Sequence, residues 1–200
     1  KEFPKDKLNM ETSKMGIQIG SDSFFDYSAL SLKTLDKYFD KALYIFQSLI
    51  NNPLLDNKEV DLEKEHTLAE IKSNIDDPDE YVWKVLNNTF SAGHPYYNDF
   101  GGTAETIPNI NQASLKNYLK DNFVGSKLLI VVVGNYKDSI KKDIEKYFGK
   151  LPKGNYKDVS VQPLNVTKPE VTVEDRDIPT SYIVARFTVP SIKDADYPAA

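Results

Sequence analysis

The run Lys127-Leu128-Leu129-Ile130-Val131-Val132-Val133-Gly134 constrains the fold more than any other stretch. It is continuously apolar and rich in β-branched residues. Without polar alternation, neither face of a strand here suits water, so the pattern predicts a central strand covered on both sides. A strand of that kind needs a sheet beside it and layers above and below. Leu35, Phe39, Ala42, Leu43, Phe46, Leu49 and Ile50 recur at helical spacing, and Asn51-Asn52-Pro53 ends the pattern. They supply the clearest amphipathic helix for such a layer.

The other elements are predicted from local signals. Pro4 to Met15 forms a short helix with Leu8 and Met15 on one side, stopped by Gly16. Ile17-Gln18-Ile19 alternates. After Gly20-Ser21-Asp22-Ser23, Phe24 to Leu32 alternates again, so a hairpin is predicted with its reversal at 20–23. An acidic helix covers Asn57 to Asn74. Asp77-Pro78 then caps and starts another, with Tyr81, Val82, Val85, Leu86, Thr89 and Phe90 on its face. Trp83 falls off that face and is expected to be partly buried packing. Asn111 caps a helix to Phe123, and Asp138 caps one that Gly149 ends. Val171-Thr172-Val173 and Ser181 to Val189 read as strands, and Asp194 begins a last partial helix. A hairpin, several helices, a strand and then a helix make an α+β protein: an antiparallel or mixed sheet packed by helices, followed by the first strands of a second similar domain.

Composition removes several function classes. The net charge of −5 argues against a nucleic-acid binder. No apolar run approaches the roughly 20 residues of a membrane helix. The absence of Cys removes disulfides and thiolate zinc sites and leaves the compartment open. The chain opens with Lys1 rather than Met and stops at Tyr197-Pro198-Ala199-Ala200, where a helix is starting, so a longer parent is expected.

Chemistry concentrates on the acidic helix. Glu59, Glu63, His66 and Glu70 are spaced by four, three and four and share one narrow face. Such a face is either a solvated stripe or one wall of a metal site. Glu63-x-x-His66 has the carboxylate–imidazole spacing of di-iron bundles, but no second copy exists to complete one. Leu62-Glu63-Lys64-Glu65-His66 ends like the His-x-x-Glu-His zinc motif, yet Leu62 cannot bind metal. His94, before Pro95, reads as a loop residue bonding backbone. Gly101-Gly102 is not a phosphate loop, because no Lys-Ser/Thr follows. Arg176 and Arg186 are the only arginines, and Arg186, inside a predicted strand, is a candidate partner for an acid.

The order of motifs carries more than any one of them. Glu63-Lys64-Glu65-His66-Thr67-Leu68-Ala69-Glu70-Ile71, then Asp77-Pro78, His94-Pro95-Tyr96 and Gly101-Gly102-Thr103-Ala104-Glu105-Thr106-Ile107 together resemble the pitrilysin/insulinase family of zinc peptidases, in particular its members similar to mitochondrial processing peptidase. Asn122-Phe123-Val124 with Leu128 to Gly134, Phe148 to Gly154, and Ser181 to Pro190 with Asp196-Tyr197 extend the resemblance along nearly the whole chain.

The resemblance implies that Glu70 is a zinc ligand, with Glu63 behind it orienting the site. Two imidazoles and a carboxylate leave a fourth position for water, which zinc makes nucleophilic near neutral pH. Both His ligands and the general-base Glu are expected upstream, since Lys1-Glu2-Phe3-Pro4 resembles the segment just after the helix that carries them. No catalytic group is therefore expected in the chain itself. Residues 1–154 would form a peptidase-like domain lacking its first part, 155–168 a linker, and 169–200 the start of a second domain. Expected partners are an extended peptide or protein substrate, with Tyr96 and Tyr97 candidates to line its groove, and a second peptidase-like half in the same chain or another subunit. Gly16-Ile17-Gln18-Ile19-Gly20-Ser21-Asp22 stands where catalytic members carry an Asn-Ala-x-Thr sequence. That departure favours the alternative, a non-catalytic half that binds substrate and pairs with an active one.

Overall fold

The computed structural model describes residues 3–91, 93–157, 159–164, 166, 168–191 and 194–197. The chain divides into two compact units, 1–63 with 109–158, and 64–108 with 159–200.

In the first unit, helix α1 (Lys5–Met15) follows Pro4 at its N-cap and ends at Gly16, whose φ of 63° is left-handed. A side chain there would be strained, which makes Gly16 the helix stop. Strands β1 (Gln18–Ser23) and β2 (Ser28–Lys33) pair antiparallel in register Gly20↔Ser31 and Ser23↔Ser28. The reversal thus falls at 24–27, four residues later than the polar cluster 20–23 implied. The Phe24 amide donates to the Tyr27 carbonyl at 2.9 Å, and the two rings stack at 4.6 Å. That aromatic closure outweighs the turn propensity of Gly-Ser-Asp-Ser.

A short 3-10 turn (Asp36–Tyr38) leads into α2 (Phe39–Asn51). The α-helix thus begins after Leu35. Ile45, absent from the predicted stripe, is fully buried, while Leu35 is exposed. Phe3, Ile17, Ala42 and Ile45 form the core, with Leu8, Met15, Ile19, Leu32, Tyr44 and Leu49 packed around them. Burying apolar surface from two helices and the hairpin at one point is the main stabilising term. Helix α5 (Gln112–Asn122) opens on a reciprocal cap between Asn111 and Ser114. Helix α6 (Ile140–Phe148) is preceded by Ser139 rather than capped by Asp138. It lies along α2, with Asn51 Nδ2 donating to the Tyr147 carbonyl at 3.2 Å and the Tyr44 and Tyr147 rings 6.4 Å apart.

Leu128 to Val133 is not a central strand here. Among the described residues β1 and β2 make up the only sheet, and Leu129, Val131 and Val133 are 85%, 73% and 90% exposed. The composition of the run says what it is able to bury. A strand also needs a neighbouring backbone, and no described segment lies alongside to share ladder hydrogen bonds. The same holds for 171–173 and 181–189, which belong to no strand.

Helix α3 (Asn57–Asp76) runs from the first unit into the second. In the second unit α4 (Pro78–Phe90) has Pro78 in its first turn and Asp77 as N-cap, whose carboxylate accepts from the Asp79 amide at 2.9 Å. Trp83, expected to be partly buried, is 47% exposed. Its place off the apolar face of α4 is a position facing solvent. Asp194 to Tyr197 form a turn rather than a helix, and the predicted continuation at 198–200 lies outside the described residues, as do Lys1 and Glu2.

Candidate functional site

Helix α3 displays the polar stripe as its spacing requires. Glu59, Glu63, His66 and Glu70 are all exposed, and no residue of the helix is fully buried. The stripe is not uniform. Lys5 Nζ lies 2.9 Å from Glu59 Oε2. That hydrogen bond, then the charge of Glu59, raise the Lys5 pKa, with a smaller push from Glu63. Glu59 is thereby engaged in an exposed ion pair. Glu70 makes no hydrogen bond or ion pair among the described residues, so its carboxylate is available to a ligand from solvent.

One available carboxylate does not make a metal site. Among the described residues no group of three or more His, Cys, Asp or Glu gathers closely enough to hold an ion. His94 is also committed elsewhere. Its Nδ1 accepts from the Tyr96 amide at 3.1 Å, and its Nε2 lies 2.9 Å from the Gln162 carbonyl. A carbonyl only accepts, so the proton sits on Nε2 and both ring nitrogens are used. His94 is therefore the backbone-bonding loop residue that its position before Pro95 suggested. The residues present do not fit zinc by themselves, because they offer a single donor where a tetrahedral site needs three protein ligands and an open position.

The loop that follows α4 is built around polar contacts. Pro95–Tyr97 form a 3-10 turn, with the Tyr97 amide bonded to the His94 carbonyl at 2.9 Å. Tyr96 is half-buried, edge-on to His94 with centroids 4.9 Å apart, and Tyr97 is exposed. Behind the turn, Asn87 of α4 donates from Nδ2 to the Tyr96 carbonyl at 3.1 Å. Its Oδ1 accepts from Arg186 Nη1 at 3.2 Å and from the Ser91 hydroxyl at 3.3 Å. Ser91 is 1% exposed, and the Arg186 guanidinium lies 5.2 Å from the centre of the Phe90 ring. Arg186 thus meets an amide and a ring, where the sequence suggested an acid. Asn87 was not singled out from the sequence. Only Pro78 and the face of α4 hint at which way it points, and its partner lies 99 residues away.

The Gly-x-x-Glu turn is also locally determined. Gly102 has φ 84°, a backbone conformation that strains any side chain, and a Cβ on it would also press on the tip of the buried Ile107, 2.8 Å from its Cδ1. The Thr103 and Thr106 hydroxyls bracket Glu105, and the Thr103 hydroxyl and the Glu105 backbone amide lower the pKa of the Glu105 carboxyl.

Two family models divide the chain between them. Residues 1–104 match the model "Insulinase (Peptidase family M16)", and residues 109–200 match "Peptidase M16 inactive domain". The chain belongs to peptidase family M16. This is the pitrilysin/insulinase family of metallopeptidases, in which zinc is the implied metal. A Bacillus subtilis protein named "Uncharacterized zinc protease YmxG" is 31% identical over 136 residues, covering 68% of this chain and 33% of that protein. A probable mitochondrial-processing peptidase subunit beta of Arabidopsis thaliana is 24% identical, covering 94% of this chain and 36% of that one. Among solved structures, the peptidase M16 inactive domain from Pseudomonas fluorescens superposes with a TM-score of 0.72 at 21% identity, over 80% of this chain and 39% of that one. At that identity the likeness shows the fold. The chain spans about a third of the length of both curated M16 relatives.

Proposed function

We propose that the chain is part of a zinc-dependent M16 endopeptidase, to which it contributes Glu70 as the carboxylate ligand and Glu63 as the residue behind it. The observation that carries this reading is the exposed, unengaged Glu70, two turns from Glu63 on the same face of α3, in a chain whose first 104 residues match the insulinase model. The sequence holds two histidines, His66 and His94, and no His-x-x-Glu-His. Both imidazole ligands would therefore come from residues outside these 200, and the chain alone would not cleave peptides. We assign 1–154 to the first peptidase-like domain, 155–168 to a linker and 169–200 to the start of a second. The substrate would be an extended peptide held between this half and a second, with Tyr96 and Tyr97 lining its path. The test is cleavage of an unfolded polypeptide by the parent protein. Glu70→Gln should abolish it, since the amide is a poor zinc ligand, and full activity in the variant would exclude Glu70 from the site.

A second reading is a non-catalytic M16 half that binds peptide beside an active partner. It is favoured by the Gly16 to Asp22 sequence of the hairpin and by the match of residues 109–200 to the inactive-domain model. Here the parent would carry no His-x-x-Glu-His before Lys1, and peptide binding would persist without zinc.

A further inference from the structure

We propose that Asn87 is a positioning residue for peptide: it holds the 3-10 turn that presents Tyr97 and ties that turn to Arg186. This deepens the reading in which Tyr96 and Tyr97 line a peptide path and rests on it. The geometry is specific to a carboxamide. The Tyr96 carbonyl requires a donor, supplied by Nδ2 at 3.1 Å, whereas Arg186 Nη1 and the Ser91 hydroxyl require an acceptor, supplied by Oδ1 at 3.2 and 3.3 Å. No other side chain of this length offers both at once. The flip state of the amide is set by these partners. The opposite flip would place like groups together, N–H against guanidinium and O against carbonyl.

The three contacts join parts of the second unit that are distant in sequence. Asn87 lies in the last turn of α4, Tyr96 in the following loop, and Arg186 in the 181–189 segment. Phe90, one turn along α4, sets its ring 5.2 Å from the guanidinium, a cation–π contact. On the far side of the turn, His94 accepts from the Tyr96 amide and is itself held against the Gln162 carbonyl. Tyr96 is therefore gripped at both its amide and its carbonyl by side chains. Its neighbour Tyr97 stays exposed while its backbone is fixed. An aromatic presented this way contacts a ligand with little ordering cost at the moment of binding.

Asn87→Asp separates the two arms. It keeps shape and strengthens the acceptor toward Arg186, but replaces the donor to Tyr96 with an oxygen that repels the carbonyl. Arg186→Gln weakens the other arm alone. Two readouts apply to the full-length parent protein, with metal chelated so that peptide is bound rather than cut. Amide hydrogen exchange at Tyr96, Tyr97 and Asn98 reports the turn without peptide. Anisotropy of a fluorescein-labelled extended peptide of mixed sequence reports binding. Asn87→Asp should raise exchange at those amides about three- to tenfold, the equivalent of one net hydrogen bond, and weaken peptide binding several-fold. Arg186→Gln should do the same to a smaller extent. Exchange unchanged in Asn87→Asp overturns the assignment. Raised exchange with unchanged peptide affinity also overturns it, leaving Asn87 only a structural tie. Raised exchange with no peptide bound even by the unaltered protein refutes the peptide reading, and the proposal with it. A variant that melts globally raises exchange everywhere, in which case Arg186→Gln, at an exposed residue, decides by the same criteria.

Discussion

Replacing Ile45 by Ala tests whether the core of the first unit lies where the structure puts it. Ile45 has no exposure and packs in the cluster with Phe3, Ile17 and Ala42. The substitution removes three carbons. At about 0.8 kcal/mol for each buried carbon this loses about 2.4 kcal/mol of transfer free energy, and incomplete collapse around the cavity brings the cost to about 3–4 kcal/mol. For a chain of this size each kcal/mol shifts Tm by about 2–4 °C, so a drop of about 10 °C is expected. Urea unfolding followed by circular dichroism measures it, with a lower midpoint and an unchanged slope. Leu35→Ala is the control. The periodic pattern placed Leu35 in the core, but it is exposed, so its loss should stay within about 0.5 kcal/mol. A loss below about 1 kcal/mol for Ile45→Ala would refute the burial of Ile45 in this core, and a larger one for Leu35→Ala would refute the start of α2 after Leu35.

Val131→Lys should reduce self-association of the 200-residue chain, seen as lower light scattering at equal concentration, because Leu129, Val131 and Val133 form an exposed β-prone apolar run. Unchanged scattering would mean that the run is covered in solution. Thr103→Val should move the Glu105 pKa up toward the ordinary carboxyl range, read by NMR titration of the side-chain carboxyl. The direction follows from the hydroxyl, which favours the charged form. Because the folded pKa is the lower one, this stabilisation is present above the unfolded pKa and is lost as pH falls through the folded value. A Glu105 titration that ignores Thr103 would contradict it.

What was legible in the sequence was mostly local. Gly16 as a helix stop, Asp77-Pro78 as a cap and first turn, and Asn111 as a cap all depend on neighbours within four residues, and each forms as read. Features that need a distant partner were not legible. The apolar run at 128–133 announces what it would bury, but pairing depends on another backbone. The hairpin reversal shifted because a Phe24–Tyr27 stack closes it. Ile45 was left out of the stripe although it stands three residues after Ala42 and four before Leu49, on the face they share. At the candidate site, spacing alone put Glu63 and Glu70 on one exposed face. The Asn87 contacts join residues 9 and 99 positions apart, and nothing in the chain near Asn87 marks them.

In the proposed zinc site the carboxylate of Glu70, and not the imidazole of His66, is this chain's ligand. The direct measurement is bound zinc per chain in the purified parent protein, by elemental mass spectrometry, for Glu70→Gln beside His66→Ala. Glu70→Gln should lower zinc content well below that of the unaltered protein, while His66→Ala should retain it. Zinc retained in Glu70→Gln, or lost in His66→Ala, would contradict this assignment.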